Sequence, residues 1–242
     1  MSNSYFQFKQ FTIQQDRSAM KVTTDGCLFG AWVAEEVKNQ KSKIKNVLDI
    51  GTGTGLLSLM FAQKNPTAVI DAIEIDKDAF EQAKENIDVS PWKDRINIKH
   101  GDAKIFSFHK KYDRIASNPP FYENELKSPS NKKNIAHHSD DLRLNELLIV
   151  TKKLLADNGK FFFLFSYKRK QDIEEALNFH SLFVHQLILL KQSTQHDYFR
   201  IIIEGGLQKR DEVVTKEISI WDHQKQYTDE FTYLLKDYYL YL

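Results

Sequence analysis

Several protein classes are excluded by what this 242-residue sequence has little of. It holds one cysteine, Cys27, so an intrachain disulfide and a cysteine-based zinc cluster are both impossible. A chain of this kind suits a reducing compartment. Nine glycines and five prolines exclude collagen-like and Pro/Gly-rich chains. A surplus of one charge sign is also missing: 34 Lys and Arg stand against 33 Asp and Glu, a net +1. Any affinity for nucleic acid must therefore come from a local basic patch. No run approaches the roughly 20 apolar residues of a membrane span. Residues 1–16 are polar and aromatic, without the apolar stretch of a signal peptide. The expectation is a cytoplasmic protein with no membrane association.

The residues that are present describe a folded chain. A hydrophobic fraction of 41% with 12% aromatics repays the ordering of the chain and excludes disorder as the dominant state. The length suits one large domain, or one domain with an appendage. Residues 5–15 partly alternate apolar and polar and predict short strands or a hairpin. Thr24-Asp25-Gly26 then opens a helical stretch ending near Glu36, with Thr24 or Asp25 as its cap.

From Lys45 the pattern alternates between strand and helix. Strands are predicted at 47–50, 69–75, 96–98, 112–117, 161–165, 184–190 and 199–204. A helix is predicted over 56–64, and another begins after Asp76 and carries Ala79, Phe80, Ala83 and Ile87 on one face. Further helices are predicted over 142–155 and 168–179. Residues 127–140 read as a polar loop, Asp157-Asn158-Gly159 as a helix-ending turn, and 228–242 as a helical, aromatic-rich tail packed back on the body. The fold class is α/β: a doubly wound, mostly parallel, seven-stranded Rossmann-like sheet with a small N-terminal β/α extension. Residues 1–44 form that extension, on the ligand side; 45–206 form the core; 207–242 form a segment packed on the core. Ligands of such sheets sit beyond the strand C-terminal ends, and every motif below falls at one.

Asp49-Ile50-Gly51-Thr52-Gly53-Thr54-Gly55 follows a strand and opens a helix. Its last glycine, Gly55, comes one residue earlier than the dinucleotide fingerprint requires, and Asp49 precedes Gly51. An acid there repels phosphate and favours a cationic or zwitterionic ligand. Glu74 stands about 20 residues on, at the end of the second strand of the core, where a carboxylate accepts ribose hydroxyls. Asp102 and Ala103 follow the third, where an acid or amide meets an adenine amino group. The bland alternative for the turn is a glycine cluster that lets a helix pack on a strand. Asp76 reads better as a helix cap than as a ligand contact. Together Asp49, Gly51, Gly53, Gly55, Glu74, Asp102 and Ala103 resemble the S-adenosylmethionine site of class I methyltransferases.

Asn118-Pro119-Pro120-Phe121 ends the fourth strand. Two prolines fix the backbone. The Asn118 amide oxygen and the Pro119 carbonyl both accept hydrogen bonds, which matches the two N–H donors of a planar amino group. Holding those protons lets the nitrogen pyramidalise toward a methyl donor, so orientation and electrostatics carry the reaction without a strong base. Phe121 can stack on a flat substrate. A rigid strand-ending turn is the structural alternative. The motif resembles that of amino-nitrogen methyltransferases, whose targets include adenine N6, cytosine N4, guanine N2 and glutamine amides. That resemblance places Asn118 beside the cofactor as well as the substrate.

Phe6-x-Phe8-Lys9-x-Phe11-x-Ile13-x-Gln15-Asp16, followed by Met20-Lys21-Val22-x-Thr24-Asp25-Gly26, resembles the N-terminus of the bacterial tRNA1(Val) (adenine(37)-N6)-methyltransferase family. With the two core motifs the resemblance spans most of the chain. It implies S-adenosylmethionine as cofactor, with Lys21 and Thr24 over its methionine end, and an anticodon-loop adenine of tRNA as substrate. A loop purine costs little to extrude. A monomer is favoured. Basic residues near the strand ends, among them His109-Lys110-Lys111, Lys127, Lys132-Lys133, Lys152-Lys153 and Lys168-Arg169-Lys170, are candidate RNA contacts, or simply a solvated surface. Where the family pattern has Ala-Arg, this chain has Ala136-His137-His138. His137 and His138 lack a completing ligand at metal spacing, so no metal is expected. The rivals are a glutamine methyltransferase acting on a release factor, another rRNA or DNA amino-methyltransferase, and a non-catalytic RNA-binding module.

Overall fold

The structure is a computed structural model and describes residues 3–38, 44–119 and 132–242, the side chains of 132–142 excepted. The N-terminal residues make an antiparallel pair, β1 (Tyr5–Gln7) and β2 (Thr12–Gln14), and a helix, α1 (Thr24–Lys38). Then come β3 (Asn46–Ile50), α2 (Leu56–Lys64), β4 (Val69–Glu74), α3 (Lys77–Asp88), β5 (Ile96–His100) and β6 (Tyr112–Ser117). The second half holds α4 (Lys132–Leu154), β7 (Leu155–Ser166), α5 (Lys170–Phe179), β8 (Phe183–Ser193), β9 (Tyr198–Gly206), β10 (Val214–Trp221) and α6 (Asp229–Leu235).

The main sheet has the order β10-β8-β9-β7-β6-β3-β4-β5. Its pairings are parallel except those of β9 with β7 and β8. The order reverses at β3, which has β4 on one side and β6 on the other. Ligands of such sheets bind beyond the strand ends at the reversal, here the C-terminal ends of β3 and β6. Two apolar layers cover the sheet: α1, α2 and α6 bury one face, α4 and α5 the other. The run Phe161-Phe162-Phe163-Leu164 is wholly buried because both faces of β7 are covered. Among the described residues no helix is long and apolar enough to cross a membrane.

All seven expected strands are present, and β10 adds an eighth beside β8. Only Ile218 and Ile220 of β10 are buried, so its alternation spans too few residues to stand out in the sequence. Helix α4 starts at Lys132, earlier than the expected 142, because composition alone reads a polar first half as loop. Residues 127–131 of the expected loop lie outside the described residues. The expected turn at Asp157-Asn158-Gly159 lies instead within β7, across an irregularity where Tyr112 pairs with Leu155 and Arg114 with Lys160. The cap of α1 is neither Thr24 nor Asp25. The Thr23 hydroxyl accepts the Gly26 N–H at 3.3 Å. Asp76 caps α3 as expected, accepting the Ala79 N–H at 2.8 Å.

Both termini are fastened to the core. The buried Asn86 amide bonds the Gln14 N–H, the Gln14 carbonyl and the Thr54 carbonyl, each at 2.9 Å, and so links β2, α3 and the glycine turn. The Gln82 side chain accepts the Arg17 N–H at 3.0 Å. At the other end Tyr238 is fully buried, donates to the Met60 carbonyl at 2.9 Å, and its own carbonyl accepts the Lys9 N–H at 2.8 Å. Trp221 stacks on Tyr227 at 4.1 Å and Tyr227 on Phe231 at 4.7 Å. The tail from 227 to 239 is therefore packed inward. Cys27 is buried in α1, and burial pushes its thiol up to about 12, which keeps it inert.

Candidate active site

The glycine turn between β3 and α2 needs left-handed backbone at three positions: φ is 71° at Gly51, 58° at Gly53 and 84° at Gly55. A Cβ added at Gly51 or Gly53 would meet nothing within 4 Å, so these glycines answer to backbone conformation and border open space. Gly55 is the N-cap of α2. Asp49, at 2% exposure, lies beneath the turn. Its Oδ2 accepts the Thr52 and Ser58 hydroxyls at 2.6 and 2.7 Å, while its Oδ1 is buried and unpartnered. Burial pushes the Asp49 carboxyl up from 3.8 to about 6; the two hydroxyls oppose that rise and the Glu74 charge adds to it.

Glu74 ends β4, and its carboxylate is organised by backbone. Oε1 accepts the Ile75 and Asp76 N–H groups and Oε2 accepts the Gly53 N–H, all at 2.9 Å. The glycine turn and the acid predicted from spacing are thus directly bonded. A carboxylate has about four lone-pair sites; three are used, leaving about one for a ligand hydroxyl. The Gly101 N–H donates to the Glu74 carbonyl at 2.8 Å and brings the 101–103 loop alongside. Asp102 turns back on that loop: Oδ1 accepts the Lys104 N–H at 2.9 Å, and Oδ2 stands 3.5 Å from the Lys104 ammonium. Ala103 is half-buried beside it. Two apolar side chains flank these acids in the open, Ile75 at 64% exposure and Ile105 at 84%.

At the end of β6 the Ser117 hydroxyl donates to the Ile50 carbonyl at 2.8 Å and joins the strand to β3. Asn118 follows. Its Oδ1 is buried and has no hydrogen-bond partner. Its Nδ2 lies against the first turn of α1, 3.6 Å from where a Gly26 Cβ would stand. Pro119 is half-buried. Pro120 and Phe121 lie outside the described residues, as do the side chains of His137 and His138. Thr24 is the exposed first residue of α1. The Lys21 ammonium bonds the Gln15 carbonyl, the Ser18 carbonyl at 3.0 Å and the Asp16 carbonyl at 3.5 Å, so it organises the segment before α1.

Sequence reasoning missed Thr23, Ser58, Ile75, Ile105 and Arg200. Arg200 stands in β9, and its Nε donates to Asp25 Oδ2 at 2.9 Å, which ties the sheet to the N-terminus of α1. An apolar residue after Glu74 reads as strand, and an arginine in a strand gives no sign of a partner 175 residues away.

A reversing parallel sheet, a glycine turn over a buried acid, a second acid at the neighbouring strand end and Asn-Pro-Pro closing the fourth strand define a methyltransferase of the Rossmann-like class. Residues 31–186 match the family model of the methyltransferase small domain. A predicted O-methyltransferase, Atu636 from Agrobacterium tumefaciens, shares the fold with TM-score 0.67 at 12% identity, covering 88% of this chain and 95% of that one. The glycopeptide N-methyltransferase MtfA, solved with S-adenosyl-L-methionine, shares it with TM-score 0.55 at 12% identity, over 74% of this chain and 94% of its own. A relative from Dyadobacter fermentans, a tRNA1(Val) (adenine(37)-N6)-methyltransferase, is 41% identical over 242 residues, 98% of each chain. The chain belongs to the tRNA1(Val) (adenine(37)-N6)-methyltransferase family.

Proposed function

We propose that this chain transfers a methyl group from S-adenosylmethionine to the exocyclic N6 of an adenine in tRNA, adenine 37 of tRNA1(Val). One observation carries the reading: the buried, unpartnered Asn118 Oδ1 at the strand end beside the glycine turn. An acceptor left without a donor in the interior costs about 1–3 kcal/mol, and an amino group supplies the donor.

The residues fit the cofactor. The unpartnered Asp49 Oδ1 suits a cationic amine, the open space over Gly51 and Gly53 admits a ligand close to backbone, and Glu74 takes a ribose hydroxyl on its remaining lone pair. The exposed Ile75 and Ile105 offer apolar cover for a purine, with Asp102 and Ala103 between them in the chain. Lys21 and Thr24, in the segment that leads into α1, serve the methionine end of the cofactor in this reading. S-adenosylmethionine, when bound, supplies an electrophilic methyl on a sulfonium. Asn118 Oδ1 and the Pro119 carbonyl accept the two amine protons and direct the nitrogen lone pair out of the ring plane. They stabilise the positive charge that develops on nitrogen as the new N–C bond forms and the C–S bond breaks. The proton then leaves to water. Phe121 is the stacking partner of the base in this reading.

In this reading residues 1–44 form the ligand-side extension, 45–206 the methyltransferase core and 207–242 a segment packed on the core. The basic residues at the strand ends, Lys168 to Lys170 among them, meet RNA phosphates. A monomer is taken as the working form and the cytoplasm as its compartment, which a tRNA substrate supports.

The test is purified protein with labelled S-adenosylmethionine and unmodified tRNA1(Val), followed by nucleoside mass spectrometry. N6-methyladenosine at position 37 is expected. Label at cytosine N4 or guanine N2, or transfer to a release-factor glutamine and not to tRNA when both substrates are offered, would overturn the assignment.

A further inference from the structure

Asn118 serves an amino group only with its oxygen forward, since its own NH2 would set donor against donor. Its surroundings decide which end faces out. The first turn of α1 closes over the nitrogen end: a Cβ at Gly26 would lie 3.6 Å from Asn118 Nδ2, 3.1 Å from the Thr23 hydroxyl and 3.8 Å from a Leu56 methyl. A Cβ there would crowd the Thr23 hydroxyl and make ordinary van der Waals contact with Nδ2, so the helix backbone packs close against the nitrogen end. Oδ1 is the end that is buried without a hydrogen-bond partner.

That turn is itself held from the sheet. Asp25 Oδ1 accepts the Gly26 N–H at 3.1 Å. Asp25 Oδ2 accepts from Arg200 Nε at 2.9 Å, with the two side chains only 12% and 16% exposed. Arg200 pairs with Ser166 in the middle of the sheet, and its Nη1 donates to the Phe199 carbonyl at 3.3 Å. A charge-assisted bond with so little solvent around it is strong and directional. The links run in one line from β9 through Asp25 and Gly26 to Asn118.

Resting on the reading above, we infer that Arg200 and Asp25 are positioning residues for methyl transfer: their ion pair fixes the first turn of α1, and that turn holds the Asn118 amide with its oxygen toward the substrate amine. Neither residue touches the reacting atoms in this role. Their effect falls on the chemical step, because a tilted or flipped amide misdirects the nucleophile without removing any surface that binds cofactor or RNA.

Single-turnover methylation with both substrates saturating tests this in the full chain. The variants are Arg200→Ala, Asp25→Ala, the double variant and Gly26→Ala, with S-adenosylmethionine affinity by calorimetry and the tRNA KM measured beside the rate. Each single substitution should slow methyl transfer about 10-fold or more, with cofactor affinity and KM within about twofold of the parent. The double variant should be no slower than the slower single, because both break one link. Gly26→Ala should slow transfer without a large fall in melting temperature, because its Cβ sits 3.1 Å from the Thr23 hydroxyl and shifts the turn by a few tenths of an ångström, while alanine favours a helix over glycine; that variant stands if the charge variants do not fold. A parent single-turnover rate in Arg200→Ala or Gly26→Ala overturns the inference. So does a raised KM at parental rate with the salt slope reduced by about one, which makes Arg200 a phosphate ligand. Additive losses in the double variant overturn it too. A parent enzyme that makes no N6-methyladenosine refutes the functional reading instead, so the two failures are separable.

Discussion

Glu74→Ala should damage the protein in two separable ways. Its carboxylate accepts three backbone N–H groups, from Gly53, Ile75 and Asp76. Bonds to a charged acceptor contribute about 1.5–3 kcal/mol each when buried. Ile75 and Asp76 are exposed, so water replaces much of what their N–H groups lose, and the half-buried Gly53 is the main casualty. The net cost is therefore about 2–3 kcal/mol. At about 2–4 °C per kcal/mol for a chain of this size, the melting temperature should fall by about 4–12 °C. The second loss is the ligand hydroxyl on the last lone pair. Its bond adds about 1.5–3 kcal/mol, or about 10- to 100-fold in S-adenosylmethionine affinity. Glu74→Gln is the sharper variant. Its carbonyl end can serve either Gly53 or the Ile75–Asp76 pair, and its NH2 end must then face the other as donor against donor. Calorimetric titration and thermal melting of the two variants measure both losses. A Glu74→Gln protein that melts with the parent and binds the cofactor equally well would refute the account of both roles.

Three further outcomes follow from the same geometry. Asp49 titrates near 6 when folded against 3.8 ordinarily, so the folded chain holds its proton the more tightly, and Asp49 makes the fold less stable as pH rises from about 4 through about 6. A cationic amine opposite Oδ1 needs the ionised form. Cofactor affinity should therefore be full above pH 6 and fall by up to about 10-fold per unit below it, and a flat calorimetric profile from pH 5 to 8 would exclude that pairing. Asn118→Ala should cut kcat by about 100-fold or more while changing the tRNA KM and cofactor affinity little; a parental single-turnover rate would make Asn118 structural. Asn86→Ala removes one buried and two half-buried bonds that join β2, α3 and the glycine turn, so it should lower stability by about 2–3 kcal/mol, and a denaturation midpoint matching the parent would contradict that link.

What could be read from the sequence was local or followed a fixed spacing. Gly51 to Gly55 showed through because a strand-to-helix turn with positive φ tolerates little else. Glu74 showed because one β/α/β unit sets its distance from the turn, and its bond to Gly53 is the physical content of that spacing. The capping role of Asp76 was equally local. Arg200 was hidden for the opposite reason: its function lies in a partner 175 residues away, and within Phe199-Arg200-Ile201-Ile202 it is one polar residue of an alternating strand. Ile75 read as strand because periodicity registers an apolar residue without registering that the sheet ends beneath it. The cap of α1 fell one residue from the expected place, because Thr23, Thr24 and Asp25 are all competent caps and only the path of the chain chooses among them.

Unpartnered buried atoms do not by themselves mark the site. Glu204 Oε2, Gln186 Nε2 and His185 Nδ1 are also buried without partners, toward the other end of the sheet, where β8 and β9 pair through Gln186 and Glu204. Lys160 already compensates the Glu204 charge at 2.6 Å, and His185 Nε2 already bonds the Gln208 carbonyl at 2.7 Å, so these are packed polar groups with one valence spare. Asp49 and Asn118 differ in position and in surroundings. Asp49 lies near the end of β3 and Asn118 directly follows β6, the neighbouring strands at which the sheet order reverses. The glycine turn that follows Asp49 borders open space at Gly51 and Gly53, and among the described residues neither unpaired oxygen has a compensating cation beside it as Glu204 has in Lys160. Both ligands of the proposed reaction bring nitrogen-borne hydrogens or positive charge to those positions, so the unpaired oxygens are complementary to what binds. Their desolvation cost is borne by the free protein and recovered on binding, which is why cofactor should raise the melting temperature of the parent more than that of Asp49→Asn.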